Sequence, residues 1–171
     1  MLPTKRVLVG PSNIHGLGVF AETGLTTGDM ILSIDDSILV ADPKQLTGDE
    51  HEYHCDYLSH GKIVLMQFPE RHINYSCDPN SYVKTVGGQR LVLTWRDISK
   101  AEEVTYDYSI NGYGDTLWEC HCGSVLCRKW VHSDFFHLPH PRQIDYLPFL
   151  DHWFQEEFRD KVSELNQSKG T

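Results

Sequence analysis

Residues 71–80 bring together side chains that are rarely neighbours without a chemical reason. The stretch carries the Arg71 guanidinium, the Asn74 and Asn80 amides and the Cys77 thiol, with a single aliphatic residue among them. A buried strand would not tolerate this mixture, because burying unpaired polar groups is costly. An ordinary surface loop would not need it. The stretch is therefore predicted to be a functional site whose cysteine requires partners elsewhere in the chain.

Three cysteines near residue 120 form the pattern Cys-x-Cys-x4-Cys: Cys120, Cys122 and Cys127. This spacing is typical of a metal site, and structural zinc takes four ligands tetrahedrally, so one ligand is missing. His121 lies between two of the cysteines and would have difficulty reaching the same ion. Cys55 and Cys77 are the remaining thiols, and Cys77 is favoured because it lies in the site-like stretch. The alternative is three free or oxidisable thiols.

Tyr106 and Tyr108 are two residues apart in a β-prone run at residues 104–108. On a strand, residues at this spacing point to one face, while Asp107 points to the other. Two adjacent phenols facing a pocket could orient an amine through hydrogen bonds. The alternative is that the two rings only pack within a sheet.

The positioning elements are expected to be mostly short strands joined by turns. The apolar runs predict strands at residues 5–9, 31–34, 38–40, 62–68, 81–86, 89–95 and 104–108. Gly87 and Gly88 predict a tight hairpin turn between two of them. Residues 41–61 have no clear periodicity and are predicted to form an irregular insert.

The C-terminal part of the chain has a different pattern. Pro139 and Pro141 are expected to break the chain. Beyond Pro148, apolar residues recur at helical spacing: Leu150, Trp153, Phe154, Phe158, Val162 and Leu165. This pattern predicts one amphipathic helix that packs against the body, with binding of a partner protein as the alternative.

Composition limits the classes of function. The 171-residue chain is 40% hydrophobic, which is enough for a core, and its net charge is −9. A negative charge argues against broad nucleic-acid binding and is compatible with a basic partner, although it could serve solubility alone.

No run of eighteen apolar residues exists, so no membrane span is expected. The N-terminus lacks the apolar run of a signal peptide, so an intracellular location is expected. Five cysteines at uneven spacing favour a metal site plus a spare thiol over a disulfide framework.

Four blocks occur in a fixed order: residues 16–20, 71–80 and 102–108, and the three-cysteine pattern. Together they resemble the SET-domain protein-lysine methyltransferases that carry a post-SET zinc segment, over residues 5–130. The resemblance implies a mostly β fold with short helices, in which small sheets surround a knot-like crossing of residues 74–80 and 106–108. It places a SET domain at 5–112, a post-SET zinc segment at 113–130 and a C-terminal helical extension at 131–171.

The resemblance also implies a set of site residues. Tyr108 matches the family's essential tyrosine, and Tyr106 matches the position that sets how many methyl groups are added, with mono- and dimethylation expected. S-adenosylmethionine would be held by seven residues: His15, Gly16, Leu17, Gly18, Asn74, Tyr75 and Trp118. Structural zinc would be held by four cysteines: Cys77, Cys120, Cys122 and Cys127. The substrate would be a lysine of a basic protein, with a histone tail as one candidate, and neither nucleic acid nor membrane would be a partner.

The chain departs from the usual family pattern at three positions. Tyr75 stands where histidine is usual, Leu17 where tryptophan is frequent, and Ala101 where glycine is usual. None of these changes removes a group that the chemistry needs. Two other hypotheses remain: a SET-fold module that binds a basic peptide with little turnover, and a zinc-stabilised interaction protein that uses its C-terminal helix.

Overall fold

The structure, a computed structural model, describes residues 6–168 and consists of short strands and a helical C-terminal part. Its strands are β1 (Val7–Pro11), β2 (Leu17–Ala21), β3 (Met30–Ser33), β4 (Cys55–Tyr57), β5 (Ile63–Leu65), β6 (Asn74–Tyr75), β7 (Ser81–Val86), β8 (Gln89–Thr94), β9 (Glu103–Tyr106), β10 (Leu117–Glu119) and β11 (Trp130–His132). Its α-helices are α1 (His140–Tyr146), α2 (His152–Glu157) and α3 (Arg159–Ser168). Single 3-10 turns cover Pro43–Gln45, Glu52–His54, Ser59–Gly61, Glu70–His72, Phe135–His137 and Leu147–Phe149. The predicted mostly β fold with short helices is confirmed. The predicted domain limits at residues 5 and 171 lie outside the described residues.

The strands form four small sheets rather than one large one. The largest has the order β1-β2-β9-β6, and a second has the order β3-β8-β7. The pairs β4-β5 and β10-β11 complete the set. No helix among residues 6–168 is long and apolar enough to cross a membrane.

The β7-β8 hairpin follows directly from its sequence. The turn residues Gly87 and Gly88 both have positive φ, 58° and 82°. Positive φ at both central residues is what a type I′ hairpin turn requires, and glycine adopts it at little cost. The register pairs Val86 with Gln89 directly across this turn, as predicted.

The strand that contains the first site residues runs beside the strand that leads to the tyrosines. β6 pairs in parallel with β9, with Asn74 opposite Thr105 and Tyr75 opposite Tyr106. These two strands lie about thirty residues apart in sequence, so the chain must cross to bring them together. The expected contact between residues 74–80 and 106–108 is therefore observed.

Three apolar clusters hold the sheets and helices in place. The first lies between the two larger sheets: Val19, Ala21, Leu25, Ile31, Leu32, Ile34, Ile73, Val92, Ile98 and Val104. The second belongs mainly to the C-terminal part: Ile110, Phe135, Leu138, Tyr146, Leu147, Leu150, Phe154, Val162 and Leu165. A third, smaller cluster surrounds the cysteines and contains Tyr75, Cys77, Cys120 and Val131. The predicted packing of the C-terminal part against the body is confirmed.

Three details of the predicted elements were wrong. The expected single C-terminal helix is two helices, because the chain leaves helical geometry at Phe158, which has φ −110° and ψ 33°. Residues 38–40 form no strand, and Leu39 makes only an isolated bridge to Val64. Pro141 does not break the chain but lies in the first turn of α1, where proline is tolerated because that amide has no helical partner.

Candidate active site and metal centre

Asn80 joins the site stretch to β9 from a buried position. It is 2% exposed, and its Oδ1 accepts a hydrogen bond from the Thr105 amide at 2.9 Å. Its Nδ2 donates to the Glu103 carbonyl at 2.7 Å. The Ser76 amide donates to the Tyr106 carbonyl at 3.2 Å. The Asn80 side chain thus pairs with β9 as a strand would, and fixes where the chain leaves the sheet towards Tyr108.

The two candidate catalytic tyrosines lie side by side, with ring centroids 4.8 Å apart. β9 ends at Tyr106, so Tyr108 lies just beyond the strand. The Tyr108 hydroxyl donates a hydrogen bond to the Ile73 carbonyl at 2.7 Å. The Tyr106 hydroxyl has no hydrogen-bond partner among residues 6–168. Tyr108 is therefore oriented by the site stretch, while the Tyr106 hydroxyl is free to interact with a ligand or water.

Both phenols remain protonated at neutral pH. Although Tyr108 is 39% exposed, desolvation by the surrounding protein raises the pKa of its hydroxyl, and the carboxylates of Asp56 and Glu103 add to this effect. Burial also raises the pKa of Tyr106 well above its ordinary value, followed by the effects of Tyr108 and Asp56. A protonated Tyr108 can donate a hydrogen bond to the Ile73 carbonyl and still accept another hydrogen bond with its oxygen lone pairs.

The tyrosines open onto a cavity of about 490 Å³. Its aromatic lining residues are Tyr53, Tyr57, Tyr106, Tyr108, Tyr113, Trp118 and Trp153. They come from the insert, from β9 and the residues after it, and from the C-terminal helices. A volume in this range is that of a pocket for a drug-sized ligand. It can hold more than one lysine side chain.

The Asn74 side chain holds the glycine loop (residues 15–18), which precedes and enters β2, through hydrogen bonds to the loop backbone. The Asn74 Nδ2 lies 3.1 Å from the His15 carbonyl and 3.0 Å from the Leu17 carbonyl. The same nitrogen lies 2.8 Å from the Glu103 Oε1. A side chain at Gly18 would overlap this carboxylate and displace the Glu103 side chain from its contact with Asn74, so the close approach favours glycine there.

The outer side of the same loop is open. Gly16 has φ +48°, and a Cβ placed on it would meet nothing within 4 Å. Its backbone can therefore approach a bound group closely. Tyr75 follows Asn74 on β6, and its ring centroid lies 5.3 Å from that of Tyr108 and 5.5 Å from that of Trp118. Of the predicted cofactor residues, Tyr75 and Trp118 therefore lie beside Tyr108, while Asn74 holds the glycine loop.

The four predicted zinc ligands come together. The sulfur atoms of Cys77, Cys120, Cys122 and Cys127 all lie within 4.8 Å of one another. The Cys77 and Cys120 sulfurs are 3.8 Å apart. Zn–S bonds of about 2.3 Å in a tetrahedron place sulfurs about 3.8 Å apart, so the cluster has room for such an ion. Cys55 lies elsewhere, on β4, and the exposed His121 contacts Glu119 at 3.9 Å rather than the cluster.

A buried ion pair that was not predicted from the sequence connects the cysteine cluster to the tyrosines. Asp107, fully buried between Tyr106 and Tyr108, accepts two hydrogen bonds from Arg128, at 2.8 and 3.1 Å. Tyr146 of α1 donates to the same carboxylate at 3.0 Å. The Arg128 amide also donates to the Cys77 sulfur at 3.2 Å. The position of Arg128 directly after the last cysteine was the available signal.

Tyr75, which stands where histidine is usual in the family, contacts both Cys77 and Arg128. Its hydroxyl lies 3.2 Å from the Cys77 sulfur and accepts a short hydrogen bond from Arg128. Burial raises the pKa of Tyr75, and the nearby Asp107 carboxylate raises it further. This departure from the family pattern therefore adds a contact between the site stretch and the cysteine cluster.

Comparisons with known proteins agree with this geometry. The family model described as the SET domain matches residues 16–109, which is more than half of the chain. The chain is 32% identical over 148 residues to histone-lysine N-methyltransferase ATX2 of Arabidopsis thaliana, in a match that covers 75% of this chain and 13% of that protein. It is 31% identical over 144 residues to the H3 lysine-4 specific histone-lysine N-methyltransferase of Schizosaccharomyces pombe, covering 74% of this chain and 15% of that protein.

A third relative is histone-lysine N-methyltransferase 2D of Homo sapiens, 30% identical over 140 residues, with 74% of this chain and 2% of that protein covered. The chain thus spans only a small part of the length of these relatives. The residues that the family model matches include Gly16 and Gly18, the site stretch and both tyrosines. The chain belongs to the SET-domain family.

Proposed function

We propose that this protein transfers a methyl group from S-adenosylmethionine to the side-chain amine of a lysine in a basic protein, a histone tail being one candidate. The observation that carries this proposal is the Tyr108 hydroxyl, fixed by the Ile73 carbonyl at 2.7 Å and facing a cavity. The relatives named above are histone-lysine methyltransferases, which supports the same reaction class. The acidic charge of the chain favours a basic substrate.

The reaction requires a neutral amine. Lysine has a pKa of about 10.4, so only roughly 0.04% of exposed lysine side chains are neutral at pH 7. Removal from water disfavours the charged amine and lowers its pKa. The cavity beside Tyr106 and Tyr108 provides such an environment, because seven aromatic rings line it.

Tyr108 positions the amine. Its proton is committed to the Ile73 carbonyl, so its oxygen lone pairs are directed at the cavity and can accept a hydrogen bond from the amine N–H. This leaves the nitrogen lone pair free to point at the methyl donor. Holding the reacting atoms in line contributes through orientation rather than through acid or base strength.

S-adenosylmethionine, when bound, supplies a methyl group on a positively charged sulfur. The residues that would hold it are the loop 15–18, Asn74, Tyr75 and Trp118. The open space over Gly16 and the ring contacts of Tyr75 with Trp118 and Tyr108 support this assignment. Asn74 contributes by holding the loop carbonyls of His15 and Leu17 in place.

Zinc at the four-cysteine cluster would be structural. All four donors are cysteines, a set typical of closed structural sites with no open position for substrate. The cluster connects residues 113–130 to Cys77 of the SET domain, which we place at 5–112. We assign residues 131–171 to a helical extension, and its described residues, up to 168, pack in the same folded body. An intracellular location, nuclear or cytoplasmic, would bring such an enzyme to a basic protein substrate.

Tyr106 is assigned the control of product. Its hydroxyl occupies space in the cavity 4.8 Å from the Tyr108 ring, measured between ring centroids. A hydroxyl there leaves less room for an amine that already carries methyl groups. Mono- and dimethyl-lysine are therefore the expected products.

The test is transfer of a radiolabelled methyl group from S-adenosylmethionine to a pool of lysine-rich peptides. We expect transfer by the wild-type chain and loss of transfer by Tyr108→Phe, which removes the hydroxyl and keeps the ring. Retained folding of the variant is checked by circular dichroism. Absence of wild-type transfer to any peptide or basic protein would contradict the proposal.

A further inference from the structure

The cavity continues beyond the two catalytic tyrosines to a second group of aromatic residues. It is lined by Tyr57 of β4, by Tyr113 of the β9–β10 loop (residues 107–116) and by Trp153 of α2. Tyr113 and Trp153 lie outside the residues that match the SET-domain family model, which end at 109. No step of the proposed reaction uses these three residues, which we call the distal aromatic group.

The distal aromatic group is built rather than accidental. The Tyr113 hydroxyl donates a hydrogen bond to the Leu58 carbonyl at 2.8 Å, which connects the β9–β10 loop to the insert next to Tyr57. The Tyr113 and Trp153 rings are 6.3 Å apart at an angle of 76°. The two rings are nearly perpendicular, so one presents its face and the other its edge to the space beside them.

Trp153 is held in position by the start of its helix. Asp151, 1% exposed, precedes α2, and its side chain accepts hydrogen bonds from the amide and hydroxyl of Thr85 at 2.9 and 2.7 Å. The Asp151 amide donates to Asn111 at 2.6 Å. These contacts fix the start of α2 against β7 and the β9–β10 loop, so the indole of Trp153 has a defined place in the cavity wall.

The charge around this group is negative. The two cavity-lining arginines are already neutralised: Arg71 by Glu50 at 3.0 Å, and Arg90 by Asp56 at 2.6 Å. Arg90 also contacts Asp36 at 3.1 Å, which leaves two carboxylates for one guanidinium. Burial raises the pKa of Tyr113, and the carboxylates of Glu157 and Asp56 raise it further. Carboxylates that disfavour a phenolate favour a cation.

We propose that the distal aromatic group binds an arginine side chain of the same peptide that carries the target lysine. The planar guanidinium stacks on aromatic faces, and it is more weakly hydrated than the lysine ammonium. The nearby excess of carboxylates selects a cation over a neutral side chain. The inference rests on the proposed function, and it names a sequence requirement of the substrate beyond the lysine itself.

The test uses fluorescent peptides in which the target lysine is replaced by norleucine. Arginine is placed in turn at each position from four residues before to four residues after the norleucine. A matched set carries citrulline, which has the shape of arginine without its charge. Binding to the full-length, zinc-loaded chain is measured by fluorescence anisotropy. Because no methyl transfer is involved, the result is independent of whether the proposed reaction occurs.

At one or two neighbouring positions, arginine peptides should bind roughly 3- to 30-fold more tightly than citrulline peptides. Trp153→Ala should reduce this ratio to near one. Trp130→Ala is the matched control, because Trp130 is 60% exposed and is not part of the wall of this cavity, and it should leave the ratio unchanged. If Trp153→Ala does not fold, Tyr57→Ala replaces it, since Tyr57 is 43% exposed on a short strand and should lower the same ratio.

Two results would overturn the proposal. One is the absence of any position at which wild-type protein prefers arginine to citrulline, including the absence of measurable binding. The other is a preference that persists in both Trp153→Ala and Tyr57→Ala, which would place arginine recognition elsewhere on the chain.

Discussion

The two walls around Tyr108 are held in different ways. The zinc-side wall comprises residues 71–80, 103–109 and 117–132, and its buried polar side chains Asn74, Asn80 and Asp107 all have hydrogen-bond partners. The insert-side wall comprises residues 34–37, 41–65 and 90, and it contains all three buried side-chain polar atoms that lack a hydrogen-bond partner among residues 6–168. These atoms are Asp36 Oδ1, Arg90 Nη2 and Arg90 Nε, the last of which lies 3.1 Å from Asp36 Oδ2 as an ion pair without hydrogen-bond geometry.

The difference indicates a division of tasks. On the zinc-side wall, Asp107 receives hydrogen bonds from Arg128 and Tyr146, so the turn between Tyr106 and Tyr108 has little freedom. On the insert-side wall, burial raises the pKa of Asp36, and Arg90 offsets only part of this effect. Incompletely paired polar groups are costly to bury. We therefore expect the first wall to position the proposed chemistry and the second to re-pair when a substrate binds.

The largest effect should follow from breaking the zinc-side ion pair. Asp107→Asn leaves the Arg128 guanidinium buried without its countercharge, and removing one partner of a buried pair costs about 3–5 kcal/mol. Urea unfolding measures the free energy of unfolding. The control is Arg6→Ala, which breaks the exposed contact between Arg6 and Asp29 at 3.6 Å and should cost about 1 kcal/mol or less. Equal costs for the two variants would remove the basis of the comparison.

Tyr108→Phe should lower kcat by about 10²-fold, because the hydroxyl is the group that we propose orients the amine. The free energy of unfolding should change far less, since only the hydrogen bond to the Ile73 carbonyl is lost. The kcat values are measured by steady-state kinetics on a peptide that the wild-type protein methylates. Tyr82→Phe is the matched control, because Tyr82 packs on Phe149 outside the cavity and should retain its rate. A Tyr108→Phe enzyme with unchanged kcat would show that the amine is oriented by other groups.

Tyr106→Phe should change which products form rather than how fast the first methyl is added. The hydroxyl without a protein partner is removed, so the cavity gains room for a dimethylated amine, and trimethyl-lysine should appear. Mass spectrometry of the peptide products after long incubation measures the distribution. Tyr82→Phe should keep the wild-type distribution. An unchanged distribution in Tyr106→Phe would mean that another part of the cavity limits the product.

The smallest effect should come from Ala101, which has φ +66° in the turn before β9. An L-residue in this region costs roughly 1–2 kcal/mol, and glycine avoids this strain. The greater backbone entropy of glycine in the unfolded chain offsets part of the gain in stability. Ala101→Gly should therefore stabilise the protein by about 0.5–1 kcal/mol. Thermal unfolding measures the gain, with Ala41→Gly as a control at a position outside the positive-φ region. Destabilisation by Ala101→Gly would contradict this reading of the turn.

The sequence was most informative where local chemistry sets the structure. The paired glycines at 87 and 88 predicted the hairpin, and the cysteine spacing together with Cys77 predicted a cluster whose sulfurs do lie together. These features depend on short-range geometry that residue types specify directly. The family resemblance added the crossing of β6 and β9, which no local pattern could predict.

The rest depended on contacts between distant residues. Nothing in the sequence indicates that Tyr146 reaches Asp107, because the two lie far apart in the chain and meet only through packing of the C-terminal part. Periodicity predicted the apolar face of the C-terminal helices but not the break at Phe158, where apolar spacing continues across the interruption. Trp153 was assigned to packing, and its additional place in the cavity wall required the fold.

The central claim, that the cysteine cluster holds the site stretch and the tyrosines in working order, is tested most directly by one pair of variants. Cys77→Ser removes a cluster ligand from the zinc-side wall, and Cys55→Ser makes the same chemical change on the insert-side wall. Zinc content and methyl transfer are measured on each purified protein. The account predicts that Cys77→Ser loses both zinc and transfer, while Cys55→Ser keeps both. Full zinc content and transfer in Cys77→Ser would contradict it.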